Sequence, residues 1–128
     1  MNKINIISPL DKLHSDAYSI LLLYPSLQVQ SQLQEQLLSM ENNSMNIYVY
    51  KEDKFEHDRF LWLLDVFAMS NLTIIDIDQI PIHSNIQKIL SFMIAKPKTY
   101  WLTNSQHIVY TYISNNRVYD LSFLSKIV

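Results

Sequence analysis

The chain contains no glycine in 128 residues, and that absence limits its folds and its chemistry more than any other feature. Average usage of about 7% would supply roughly nine. Glycine takes a positive φ without steric penalty, so turns that need one are expected to fall to Asn or Asp. Ten asparagines are present, and Asn42-Asn43, Asn71, Asn104 and Asn115-Asn116 stand where turns are wanted. AT-rich coding, as in some bacteria and bacterial viruses, accounts for much of the Asn, Ile and Lys usage.

Losing glycine also removes chemistry. The Walker-A loop, the GxGxxG dinucleotide turn and the GxSxG nucleophile elbow all need glycine for close approach to phosphate or for a strained turn. None can be present, which excludes the commonest nucleotide-binding and α/β-hydrolase designs. Cysteine is absent as well, so disulfides, thiolate metal sites and thiol nucleophiles are excluded. A cysteine-free chain fits a cytoplasmic location. The net charge is −2, and the basic residues are scattered, with no cluster denser than Lys96 and Lys98. Nucleic-acid binding leaves a basic footprint on one face, so no nucleic-acid partner is expected. The longest apolar run, Ile20 to Tyr24, is far short of a membrane span, and no membrane partner is expected either.

The length suits one domain able to bury its own core, here residues 1–128, with residues 1–16 irregular apart from an edge strand at Lys3–Ile7. Tyr18–Tyr24 is a continuous apolar run closed by Pro25, the pattern of a buried strand. Ser26 then stands as an N-cap, with Val29, Leu33, Leu37 and Met40 on one face of a helix. A second unit follows. Asn46–Tyr50 is a β-branched and aromatic strand, and a helix from about Glu56 to Ser70 opens with acids that complement its dipole. Leu72–Ile77 is a third strand. Ile86, Ile89, Leu90 and Met93 mark a third helix that must stop before Pro97, and Lys98–Thr103 is a fourth strand.

Such alternation implies right-handed crossovers and a mainly parallel sheet. The expected fold is therefore an α/β three-layer sandwich of three strand–helix units. His107–Ile113 and Arg117–Phe123 alternate apolar and polar residues around Ser114-Asn-Asn116, which predicts a closing antiparallel β-hairpin over residues 107–124.

In an open parallel sheet, ligands bind outside the carboxyl ends of the strands. Those ends carry Ser26, Glu52, Asp53, Asp76, Asp78, Thr103 and Asn104, which are expected to border one crevice. Oxygen ligands of this kind suit Mg²⁺, with Asp76 and Asp78 as its first candidates. The bland reading is that strands end in polar turns in nearly every α/β protein. Asp76 stands out because a carboxylate in the apolar run Ile74-Ile75-Asp76-Ile77 is costly unless paired or at the strand's end. His57-Asp58 resembles the His-Asp pair of the HD metal-dependent phosphohydrolases, a larger and helical family. Acids at a helix N-terminus are accounted for by the dipole alone.

Leu72-Thr-Ile-Ile-Asp-Ile-Asp-Gln-Ile-Pro81 resembles the response-regulator receiver strand that ends in the phospho-accepting Asp, and Tyr100-Trp-Leu-Thr103 resembles the later strand that ends in a hydroxyl residue. The resemblance implies a flavodoxin-like sheet with Asp76 as phospho-acceptor, Thr103 as switch hydroxyl and Mg²⁺ as cofactor. The chain departs from that family where Tyr24-Pro25-Ser26 replaces the acidic pair after the first strand, and where Lys126 precedes Ile127 rather than Pro.

The helix segment Phe60–Met69 is apolar almost all round. Phe60, Leu63, Leu64 and Phe67 suffice to face a sheet, leaving Trp62, Val66 and Met69 on another side beside Asp65. That face is expected to be an interface unless the N-terminal segment buries it. With no catalytic motif, the expected function is non-enzymatic: an accessory module that binds a protein partner or forms a homo-oligomer. The alternative is a Mg²⁺-dependent, receiver-like phosphate-binding or phosphotransfer domain using Asp76.

Overall fold

The computed structural model describes residues 3–13, 18–38, 44–52, 56–76, 99–102 and 118–119. They form strands β1 (Lys3–Ile7), β2 (Tyr18–Leu23), β3 (Ser44–Tyr50), β4 (Leu72–Asp76), β5 (Thr99–Leu102) and β6 (Val118–Tyr119), with helices α1 (Leu27–Leu38) and α2 (His57–Met69). The strands make one sheet in the order β1-β3-β2-β4-β5-β6, and every pairing is parallel. The chain is thus an α/β protein built on a parallel sheet. Counted from β2 onward, the five strands β3-β2-β4-β5-β6 follow the doubly wound order 2-1-3-4-5. β1 is an addition outside β3.

The central strands are apolar because both of their faces are covered. Alternate residues point to opposite sides. On one side, Ile7, Leu21, Leu23, Tyr48, Tyr50 and Ile75 pack with Trp62, Leu63, Val66 and Phe67 of α2. On the other, Ile20, Leu22, Ile47, Val49 and Ile74 are buried too. The crossover from β2 to β3 runs to one side of β2, and that from β3 to β4 runs back past it to the other. Right-handed crossovers in opposite directions put α1 and α2 on opposite faces. α1 buries Val29 and Leu33, the four-residue spacing expected of its apolar stripe, while Gln28 is exposed and Gln30, Gln32, Gln34 and Gln36 are half-buried.

Glycine is replaced differently from the expectation. Among the described residues the positive φ angles belong to Leu10 (φ 73°) and Tyr24 (φ 52°), neither Asn nor Asp. The local bonds of the Ser8–Asp11 turn hold Leu10, and contacts with β3 and Glu52 hold Tyr24. Helix α2 ends without a left-handed cap: Ser70 is extended, and its N–H and hydroxyl both donate to the Val66 carbonyl, at 2.9 and 2.6 Å. Asn71 then donates its N–H to Ser19 O at 2.8 Å and accepts Ser19 N–H on its side-chain oxygen at 2.9 Å. That doublet brings β4 in beside β2.

The closing hairpin is corrected. Val118 and Tyr119 pair in parallel with Trp101 and Leu102, so β6 extends the sheet in the same direction as β5. Apolar–polar alternation marks a half-buried strand of either direction, and residues 103–117 are long enough for the crossover that a parallel pair needs. The expected strand at 107–113 and the third helix around Ile86–Met93 lie outside the described residues.

The segment after β1 is pinned on the α2 side. Ser8-Pro9-Leu10-Asp11 is a tight turn closed twice, by Asp11 N–H donating to Ser8 O and Ser8 N–H donating to Asp11 Oδ2, both at 3.1 Å. Proline at its second position and a positive φ at its third make it a type II turn. Past the turn, the indole N–H of Trp62 donates to Asp11 O at 3.0 Å, and Leu13 packs against the α2 cluster.

Candidate functional site

In the order 2-1-3-4-5 the sheet reverses direction beside its first strand, here between β2 and β4. That switch point is where doubly wound folds bind ligands. Its walls are the turn after β2 and the end of β4. Tyr24 extends the β2 ladder by one bond, its N–H donating to Tyr50 O at 2.8 Å. Its phenol donates to Glu52 O at 2.6 Å, and its ring meets that of Tyr50 edge-on, with centroids 6.0 Å apart. These contacts hold the left-handed backbone at Tyr24, a conformation costing of order 1–3 kcal/mol when a residue other than glycine adopts it. The chain then turns through the buried Pro25 into α1.

Ser26 is satisfied on three sides. Its hydroxyl accepts the Val29 N–H at 3.1 Å, the N-cap bond that the spacing predicts. Its carbonyl accepts the Gln30 N–H at 3.0 Å. Its own N–H donates to Asp76 Oδ2 at 3.1 Å. Asp76 ends β4 and is only 4% exposed. The cost of a carboxylate in an apolar strand is offset here because it ends the strand and meets a backbone donor at the positive end of α1. A free anion would bind at such a helix N-terminus; the protein's own carboxylate occupies it.

Glu52, just past β3, is engaged elsewhere. Its Oε1 accepts from Arg59 Nη1 at 2.6 Å, and Arg59 Nε lies 2.8 Å from Glu56 Oε2. The hydrogen bond that Arg59 donates to Glu52, with the charges of Glu52 and Glu56, raises Arg59 further above its already high ordinary pKa. Burial is the main cause raising the Tyr50 phenol pKa; the Glu52 charge adds to it and Arg59 opposes it. The group is a charged clamp between the end of β3 and the first turn of α2.

Of the seven residues expected to border the crevice, the structure brings Ser26 and Asp76 together and places Glu52 at the neighbouring strand end, turned toward Arg59. Asp53, Asp78, Thr103 and Asn104 lie outside the described residues. Among the described residues, no group of three His, Asp or Glu side chains is arranged to hold a metal ion. Tyr24, which the sequence places at this strand end, joins the corner with Tyr50 and Arg59, two residues that the sequence reading does not single out. The Tyr-Pro-Ser string after an apolar run is the signal for Tyr24; nothing comparable marks Tyr50 or Arg59.

The α2 face expected as an interface is mostly interior. Trp62 is 7% exposed and Val66 fully buried, and both sit in the core cluster with Met69 packed against it. Asp65 is exposed. The segment carrying Asp11 and Leu13 supplies the cover. Exposed apolar side chains lie elsewhere, at Ile6, Leu10, Tyr18, Leu27 and Leu61. Among the described residues, no helix is long and apolar enough to cross a membrane. No family model matches the chain, and no curated protein matches its sequence.

Proposed function

We propose that this protein is a non-enzymatic accessory module, a three-layer α/β domain that acts by associating with another protein chain or with a second copy of itself. The observation that carries the proposal is the hydrogen bond from Ser26 N–H to the buried Asp76 carboxylate. It spends both the helix N-terminus and the strand-end acid, the two features by which this fold ordinarily captures an anionic ligand. Glu52 is likewise held by Arg59. Association is supported by the outer edge of β1, the end of the sheet order, where Ile6 is 46% exposed and Leu10, in the turn that follows, 56%. A strand edge offers main-chain donors and acceptors to an added strand. The cysteine-free composition fits a cytoplasmic setting, and the scattered basic residues favour protein over nucleic acid as partner.

A second reading is favoured by the strand order. A 2-1-3-4-5 sheet with an aspartate ending the strand next to the switch point is the framework of a receiver-like, Mg²⁺-dependent phosphate-binding or phosphotransfer domain, with Asp76 in the central role. Thermal melts separate the two. On the association reading the melting temperature is unmoved by Mg²⁺, Mn²⁺ or acetyl phosphate. A rise of several degrees that saturates with Mg²⁺, and is lost in Asp76→Asn, would replace it with the receiver-like reading.

A further inference from the structure

We infer that β1 is an exchangeable strand, and that in the associated form residues 3–7 of a second copy of this chain take the place of its own β1 beside β3. The inference rests on the association reading and names its partner. Three observations carry it.

First, β1 stands outside the doubly wound core. Strands β3-β2-β4-β5-β6 complete the 2-1-3-4-5 order without it, so its departure leaves the winding of the sheet intact. Second, the edge of β3 accepts this segment in a defined parallel register, from Lys3 beside Ser44 to Ile7 beside Tyr48. The same five residues from another copy make the same contacts, which is why exchanging an identical element is a low-cost route to a dimer.

Third, the joint is built to open. The Ser8–Asp11 turn holds Leu10 at φ 73°, a conformation that favours glycine or asparagine, so the closed turn stores strain that an extended hinge releases. The Ser8 N–H bond to Asp11 that helps close it is exposed, and water can replace it when the turn opens. Beyond the turn, Asp11 and Leu13 are tied to α2 independently of β1. The strand can therefore swing outward while this anchor stays in place, and Ile7, which leaves the α2 cluster with it, is replaced there by Ile7 of the second copy.

The absence of cysteine allows a direct test. Ile6 and Ile47 are register partners, and neighbouring strands lie about 4.8 Å apart, within the Cα separation that a disulfide bridges. The Ile6→Cys/Ile47→Cys protein is unfolded, refolded at dilute and at near-millimolar concentration, oxidised, and compared on a non-reducing gel and by native sizing. Strand exchange predicts a crosslinked monomer from dilute refolding and a covalent dimer severalfold enriched at high concentration. A crosslinked monomer at every concentration overturns the exchange. If native sizing of that material nonetheless gives a dimer, association stands without exchange; if it gives a monomer, self-association fails as well. A covalent dimer formed equally by Ile6→Cys alone also overturns the exchange. In the cysteine-free chain, Leu10→Gly relieves the hinge, and the refolded dimer fraction falls severalfold; an unchanged fraction contradicts the role given to the turn.

Discussion

The backbone N–H of Ser26 donates to Oδ2 of Asp76 across 3.1 Å, joining residues separated by 50 positions in the chain. One end of this bond is the first turn of α1 and the other is the last residue of β4, so it spans the point where the sheet reverses direction. The same serine caps α1 with its hydroxyl. Helix entry, strand end and switch point are thereby fixed by two side chains.

The two roles of Ser26 separate by substitution. Ser26→Ala removes the bond to Val29 N–H and keeps the backbone bond to Asp76, so it should cost about 1 kcal/mol. Denaturant unfolding reads this as a lower midpoint with an unchanged slope. A loss several times larger would mean that the hydroxyl supports more than the helix cap.

Trp62 tests how the α2 face is covered. Trp62→Phe keeps an aromatic ring in the cluster but drops the indole bond to Asp11 O, at about 1 kcal/mol. Trp62→Ala empties the site and should cost about 3–5 kcal/mol. Near-neutral stability of Trp62→Ala would return this side chain to the free surface.

Tyr50 sets an alkaline limit. Burial, with the Glu52 charge behind it, raises the folded-state pKa of its phenol above the ordinary value near 10. The folded protein therefore holds this proton more tightly than the unfolded chain. The stabilisation is fully present below the unfolded pKa and is lost as pH rises through the folded one. Stability should fall above about pH 10, and Tyr50→Phe should flatten that fall. An equal alkaline decline in both proteins, followed by unfolding at a series of pH values, would assign it to other groups.

Much of this framework is legible in the residues. The run Tyr18–Leu23, the β-branched and aromatic strand ending at Tyr50, and Leu72–Asp76 are strands because nothing else accommodates so many apolar residues between turn signals. The acids and the apolar run place the second helix to within a residue of His57–Met69. Ser26 and Asp76 could be assigned to one edge because parallel strands all end on the same side. That the carboxylate turns inward to a backbone N–H depends on how the β2 and β4 ends meet, which no periodicity encodes. Trp62 is similar: its cover comes from a carbonyl at Asp11 and from Leu13, in a segment with no repeating pattern. Positive φ at Leu10 and Tyr24 escapes a composition rule because contacts around the turn and the Tyr24 ring hold the backbone there. Alternation carries no sign, so it does not fix the direction of β6, which is parallel to β5.

The most direct test of the closed switch point is the unfolding free energy of Asp76→Ala, measured with denaturant against the unaltered protein. A carboxylate that caps α1 and links it to β4 contributes through a charge-assisted hydrogen bond, so its loss should cost about 1.5–3 kcal/mol. Asp76→Ala as stable as the unaltered protein, or more stable, is the behaviour of a carboxylate kept for function at the expense of the fold, and it would contradict the account.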